Sequence, residues 1–274
     1  MLNIREIEVR SLISKSKLPV ADYVINPYIG CPHKCIYCYA EFMKRFTHHA
    51  EPWGEFADVK RCAKKINPAK YLDTDVSIGS VTDGYNPLEK RFGATREILK
   101  QFAGSKVRLQ ILTKSALIVR DIDLFKQIPN IRIGISLNTL DDNIRKKTEP
   151  YASNISQRLA AIKTVKEAGL DTWIFLSPMF PGITDFKEIL THCRSYAASF
   201  AFENLNLRGA YRPRVLRYIK DYHADLLPLY KDIYASQSAQ YLYWDAVEQE
   251  IHKFCRKNKF KYISYFYHEK IRKK

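Results

Sequence analysis

The chain has 274 residues, 46% of them hydrophobic and 27% charged. That is enough for one large domain or two small ones with a proper core, and it excludes disordered, collagen-like and coiled-coil classes. Lys and Arg number 45 against 29 acids, a formal charge of +16, and such an excess attracts polyanions, nucleic acid first.

No apolar run approaches the ~18 residues that a membrane span requires. The N-terminus, MLNIREIEVR, lacks the apolar stretch of a signal peptide. A cytoplasmic location without a membrane partner is expected.

In chain order, residues 1–22 read as an N-terminal extension. A short strand candidate at 23–26 precedes a cluster of cysteines. Apolar runs at 76–81 (VSIGSV), 107–112 (VRLQIL), 131–137 (IRIGISL), 172–176 (TWIFL) and 204–207 (NLNL) read as strands covered on both faces. Helical patterns fall between them at 95–102, 121–128, 154–168 and 185–200. The clearest is 154–168, with Ile155, Leu159, Ile162 and Val165 on one face, Asn154 as cap and Gly169 beyond the end. Strand and helix in alternation predict βαβ units and a parallel sheet. About six units fit in residues 23–210, read as one α/β domain. Residues 211–274 read as a basic C-terminal extension, helical at 212–235 and 245–257. Its last stretch mixes Lys and Arg with Phe260, Tyr262, Tyr265, Phe266 and Tyr267, a composition suited either to stacking on bases or to packing the tail onto the barrel, with Phe260-Lys-Tyr262 as a surface strand.

Six cysteines are present: Cys31, Cys35, Cys38, Cys62, Cys193 and Cys255. Three of them fall within eight residues, which points to a metal or cluster site rather than a disulfide framework. The string is GCPHKCIYCYA, with spacing C-x3-C-x2-C. Three thiolates on one loop can hold three irons of a [4Fe–4S] cubane and leave the fourth open. An open iron can take the amino and carboxylate groups of S-adenosylmethionine, and an electron passed through the cluster then releases a 5′-deoxyadenosyl radical. Two alternatives stand beside this. One is a zinc site completed by His33, His48, His49 or Cys62. The other is a ferredoxin-like cluster closed by Cys62. The His48-His49 pair otherwise reads as a polar loop.

The motif resembles the radical SAM superfamily. The longer string NPYIGCPHKCIYCYA is similar to the branch related to spore photoproduct lyase. SVTDGYNPLEK (80–90), LTKSALIVRDIDL (112–124), SLNT (136–139), EPYA (149–152) and LSPMFPGITD (176–185) continue the likeness. FMKRFTHHAEPWGEFADVK (42–60) resembles a narrower group, the radical SAM mobile pair proteins, encoded beside a second radical SAM protein. The resemblance implies a partial (β/α)6 barrel, with a [4Fe–4S] cluster on Cys31, Cys35 and Cys38 and S-adenosylmethionine at the strand ends. It implies Thr82 and Asp83 at the methionine ammonium and Lys114, with Ser115 beside it, at the methionine carboxylate. Ser136 and Asn138 fall to the ribose or carboxylate, and Pro178, Met179 and Tyr37 to the adenine. Asp83 stands where the superfamily usually carries Gly-Gly-Glu. Arg158 reaches the cofactor carboxylate or pairs with an acid.

The superfamily also implies an electron donor such as flavodoxin or ferredoxin. The catalytic hydrogen donor is unassigned. Cys255 is the candidate, although no local context matches the lyase's donor cysteine, and Cys193 reads as packing. Three substrate classes follow: nucleic acid, a peptide or protein, or no substrate of its own, the chain then serving as a cluster-bearing subunit of a paired radical SAM protein.

Overall fold

The structure, a computed structural model, describes residues 2–266. Its strands are β1 (Asn3–Glu8), β2 (Ile13–Lys15), β3 (Tyr23–Ile25), β4 (Tyr28–Ile29), β5 (Phe56–Arg61), β6 (Asp75–Ile78), β7 (Arg108–Thr113), β8 (Ile131–Ser136), β9 (Asp171–Met179), β10 (Ser199–Asn204) and β11 (Tyr262–Ser264). The α-helices are α1 (Glu89–Phe92), α2 (Ala94–Phe102), α3 (Ile122–Phe125), α4 (Asp142–Thr148), α5 (Ile155–Glu167), α6 (Phe186–His192), α7 (Arg212–Tyr222), α8 (Leu227–Ile233) and α9 (Gln237–Lys257). No described helix is long and apolar enough to cross a membrane.

The main sheet runs β2-β3-β6-β7-β8-β9-β10-β11. From β3 to β11 every pairing is parallel, and β2 alone is antiparallel. This is the expected partial barrel, with six parallel strands, β3, β6, β7, β8, β9 and β10, in the expected order. β6, β7 and β9 alternate rather than burying both faces alike. Val76, Ile78, Leu109, Ile111, Ile131, Ile133 and Ile135 pack against Ile98, Leu99, Phe102, Phe125, Ile162 and Val165 of the outer helices. The opposite face carries Ser77, Gln110, Trp173 and Phe175 and lines a cavity. Gly134 is required on that face because a Cβ would lie 2.4 Å from the Trp173 indole.

Helix α5 has the expected limits. The Asn154 side chain accepts from Gln157 N, and the Gln157 side chain reaches back to the cap. Several elements differ from expectation. The last barrel strand is Ser199–Asn204, not 204–207, because α6 stops at His192 and Phe200, Ala201 and Phe202 enter the sheet. The helix read over 121–128 is a 3-10 turn, Ala116–Asp121, followed by short α3. The helix read over 212–235 breaks at His223 and restarts with Pro228 in the first turn of α8. Helix α9 begins at Gln237, where the Ser236 hydroxyl caps it.

The C-terminal extension is not a free basic tail up to residue 266. β11 pairs with β10. Phe260 packs against Phe200 and Phe254, and Phe266 against Trp244. These aromatics are therefore spent on packing rather than offered to bases. Tyr267 and the basic residues after it lie outside the described residues.

A second sheet, β1-β5-β4, lies behind the cysteine loop. Phe56, Ala57 and Val59 of β5 are fully buried.

Candidate functional site

The C-terminal ends of β6, β7, β8, β9 and β10 converge on one cavity of about 420 Å³, the edge at which parallel α/β barrels place their chemistry. The loop after β4 supplies the cysteines. Gly30 starts it with φ +83, and a Cβ there would meet the Phe56 carbonyl at 2.4 Å, so only glycine lets the loop lie against β5. Thr82 holds the same corner, its hydroxyl donating to the Gly30 carbonyl at 2.8 Å. Further along, the Ile36 N–H donates to the Thr148 carbonyl (2.9 Å) and the Cys38 N–H to the Cys35 carbonyl (3.2 Å).

Cys31, Cys35 and Cys38 all line the cavity, and all three are unbridged. Burial pushes the Cys31 thiol up to about 12, with Asp83 and Cys38 adding to the effect. Burial also raises Cys35 and Cys38. Lys114 opposes the shift at Cys35, and Trp53 opposes it at Cys38. The indole N–H of buried Trp53 has no oxygen acceptor of its own. Three thiols with raised pKa on one cavity wall give up their protons readily to a strongly positive centre, and an iron–sulfur cluster supplies one. Among the described residues no three Cys, His, Asp or Glu side chains converge as ligands of a single ion. A cubane instead takes one thiolate on each of three irons, so the donor set fits the cluster.

The zinc alternatives do not assemble. His49 is buried, stacked on Phe56 and paired with Asp58 (2.9 Å) and Glu51 (3.3 Å), so it is not a polar-loop residue. His33 faces Asp83 at 3.4 Å, and burial lowers its pKa. Cys62 lies beyond β5 and donates to the Lys64 carbonyl.

The strand-end residues fall into three groups. Tyr37, Thr82, Asp83, Lys114, Ser136 and Pro178 line the cavity with the cysteines. Asp83 is already well supplied with donors: Tyr85 N (2.8 Å), the Thr113 hydroxyl (2.6 Å) and Lys114 N (2.8 Å), besides His33. It ties the end of β6 to the end of β7. Burial disfavours charge on Lys114, yet Cys35 and Glu149 hold its pKa above the usual value.

Ser115 and Met179 do not line the cavity. The Ser115 hydroxyl caps the 3-10 turn by accepting from Leu117 N, and Met179 is 3% exposed within the apolar core. Asn138 does not line the cavity either: it is 3% exposed, and neither of its amide atoms has a partner. Such an amide suits a ligand that offers both a donor and an acceptor. Cys255 lies in the apolar core on α9, outside the cavity lining, with burial raising its thiol to about 11, so its position is one of packing, as is that of Cys193.

Arg158 does not face the cavity. It is fully buried and pairs with Glu149, while donating to the carbonyls of Ser153 (2.9 Å) and Ser136 (3.1 Å). The Tyr37 hydroxyl donates to the other Glu149 oxygen, so this ion pair anchors the cysteine loop. The sequence reading missed the pairing of Tyr37 with Glu149 and the place of Trp53. It also missed Tyr39, Glu203, Arg208 and Tyr211, which line the cavity together with Tyr265.

A parallel half-barrel carrying three cysteines in a cavity at its strand ends defines an iron–sulfur α/β enzyme. Residues 25–194 match the Radical SAM superfamily, and the chain belongs to it. It is therefore an enzyme of the kind that uses a [4Fe–4S] cluster and S-adenosylmethionine. An uncharacterised protein of Methanocaldococcus jannaschii is 34% identical over 252 residues, 92% of this chain and 94% of that protein. An uncharacterised protein of Mycobacterium tuberculosis is 29% identical over 77% of this chain and 67% of its own length.

Among solved structures, spore photoproduct lyase complexed with dinucleoside spore photoproduct superimposes with a TM-score of 0.57 at 20% identity. The match covers 73% of this chain and 60% of the lyase. A lyase variant with bound S-adenosylmethionine and the same dinucleoside gives 0.60 at 18% identity, covering 80% and 66%. The shared feature is the fold, and the chain spans under two thirds of the lyase's length.

Proposed function

We propose that Cys31, Cys35 and Cys38 hold the [4Fe–4S] cluster and that the enzyme abstracts a hydrogen from a nucleic-acid substrate. When bound, the cluster and S-adenosylmethionine supply a 5′-deoxyadenosyl radical. Lys114 offers its ammonium to the methionine carboxylate. Ser136 and Asn138 offer hydroxyl and amide groups to the ribose or carboxylate. Tyr37 and Pro178 border the adenine, and Asp83 holds the Lys114 backbone in place. The reductant is a small electron carrier such as flavodoxin or ferredoxin.

The substrate reading rests on the cavity lining, which includes Arg208 together with the aromatic rings of Trp173, Phe175, Tyr211 and Tyr265. Rings that stack on bases beside a cation for phosphate are the surface that unpaired nucleotides require. The +16 charge favours the same class of ligand. The lyase with which the chain shares its fold was solved with a dinucleoside photoproduct.

The test is anaerobic reconstitution with reductant and S-adenosylmethionine, with 5′-deoxyadenosine followed by mass spectrometry. DNA or RNA should raise its yield, and deuterated oligonucleotide should pass deuterium into it. A yield indifferent to nucleic acid, together with no oligonucleotide binding at low salt, would remove the nucleic-acid reading and leave the cofactor chemistry standing.

A further inference from the structure

The segment that follows Cys38 leaves the cavity as an eight-residue 3-10 helix, Tyr39–Phe46. In this helix side chains at i and i+3 eclipse, so Tyr39, Phe42 and Arg45 form one ridge, with Phe46 beside its end. The rings are costly to leave in water, yet Tyr39 is 52% exposed, Phe42 46% and Phe46 65%. They are also ordered against each other. The Tyr39 and Phe42 rings stack 6.5 Å apart at 26°. The Arg45 guanidinium lies 5.7 Å from the Phe42 centroid and 4.7 Å from that of Phe46. Tyr39 begins the ridge at the cavity wall, where its hydroxyl donates to the Ser80 carbonyl. The only acid in the segment, Glu41, is paired with Arg214. The ridge therefore presents π faces and positive charge in a line that starts at the cavity.

We infer that this ridge is a stacking track for the bases of a single-stranded nucleic acid whose neighbouring nucleotide occupies the cavity. The inference rests on the nucleic-acid reading above and adds the place where the flanking strand lies. Successive bases are themselves parallel π faces on a polyanionic chain, and they match the ridge in both geometry and charge. Strand separation is required, because bases inside a duplex present no free face.

The test uses the full chain and a fluorescein-labelled oligothymidylate as probe. Phe42→Ala/Phe46→Ala should weaken binding by about 30- to 20,000-fold, since two stacked bases are lost. The slope of log affinity against log salt should stay unchanged, because no phosphate contact is removed. Phe42→Leu/Phe46→Leu, which keeps apolar bulk without a π face, should weaken it too. Reconstituted iron content reports folding of each variant.

Wild-type binding by the alanine pair, or rescue by the leucine pair, would overturn the inference while leaving the nucleic-acid reading intact. Unchanged oligonucleotide binding with slower cluster reduction by reduced flavodoxin would overturn it as well, in favour of an electron-carrier dock. Failure of the wild-type protein to bind any oligonucleotide at low salt would instead remove the reading on which it rests.

Discussion

Replacing Arg158 by Met should unfold the anchor of the cysteine loop. The variant leaves the Glu149 carboxylate without its guanidinium where the two side chains are 0% and 1% exposed. Removing one partner of a buried ion pair costs about 3–5 kcal/mol. The carbonyls of Ser153 and Ser136 also lose their donor, at about 1–3 kcal/mol for each acceptor that stays dry. Lys114 still faces Glu149 and balances part of its charge, so the net loss should fall near ~3–5 kcal/mol rather than at the sum. Urea unfolding of the reduced apoprotein, followed by tryptophan fluorescence, measures it. Glu149→Gln/Arg158→Met should be more stable than Arg158→Met alone, because no bare charge stays buried.

Acid gives a second reading of the same pair. Burial alone would raise the Glu149 carboxyl, but Arg158 and then Lys114 outweigh it, and the folded value lies below the ordinary 4.5. The pair's contribution is therefore complete above pH 4.5 and disappears as pH falls through the lower folded value. The gap between wild type and Arg158→Met should narrow over that acid range. A loss under ~1 kcal/mol, or a double variant no more stable than the single one, would refute the anchor.

Alanine at Cys31, Cys35 or Cys38 should abolish iron incorporation, while alanine at Cys62, Cys193 or Cys255 should leave it intact, as iron analysis after anaerobic reconstitution would show. Lys114→Met should weaken S-adenosylmethionine binding by about one to two decades in calorimetric titration, the worth of a charge-assisted hydrogen bond; wild-type affinity would unseat the carboxylate assignment. Gly30→Ala should cost at least ~1–2 kcal/mol from the left-handed backbone alone and more from the clash with the Phe56 carbonyl, and it should lose the cluster together with stability. Equal melting temperatures would show that the loop does not need its glycine.

Five of the six barrel strands were legible because each carries a short apolar run followed by polar residues, and this local signal also placed Thr82, Asp83, Lys114, Ser136 and Pro178 at strand ends; the sixth, Ser199–Asn204, was misplaced. The use each side chain is put to was less legible. Ser115 turns aside to cap a 3-10 turn, and Asp83 spends its oxygens on neighbouring loops, choices made by backbone geometry one or two residues away. Tyr37 and Glu149 meet across 112 positions of sequence, and no spacing rule reaches that far. β1 was missed because NIREIE lies at a sheet edge, where charged and half-exposed residues blur the alternation that marks a strand. Cys255 looked available because it falls near a helix end, but α9 turns the cysteine into the core.

Lys114 joins the two halves of the site. Its charge is favoured by Cys35 and by Glu149, and it in turn eases ionisation at Cys35. It also lies over the Tyr37 ring, 5.8 Å from the centroid, and Tyr37 is tied to Glu149 and through it to Arg158. One ammonium thus stands between the thiol that must become a thiolate and the anchor that holds the loop. Removing it would act on the cysteines as well as on any carboxylate in the cavity. Reduced S-adenosylmethionine affinity in Lys114→Met therefore identifies a carboxylate contact only when iron content is unchanged. A loss of both in proportion would mean that the lysine works first on the thiolates. Arg158→Met separates these cases. It removes the anchor and leaves Lys114 in place, so it should lower stability without the selective loss of affinity expected from the lysine variant.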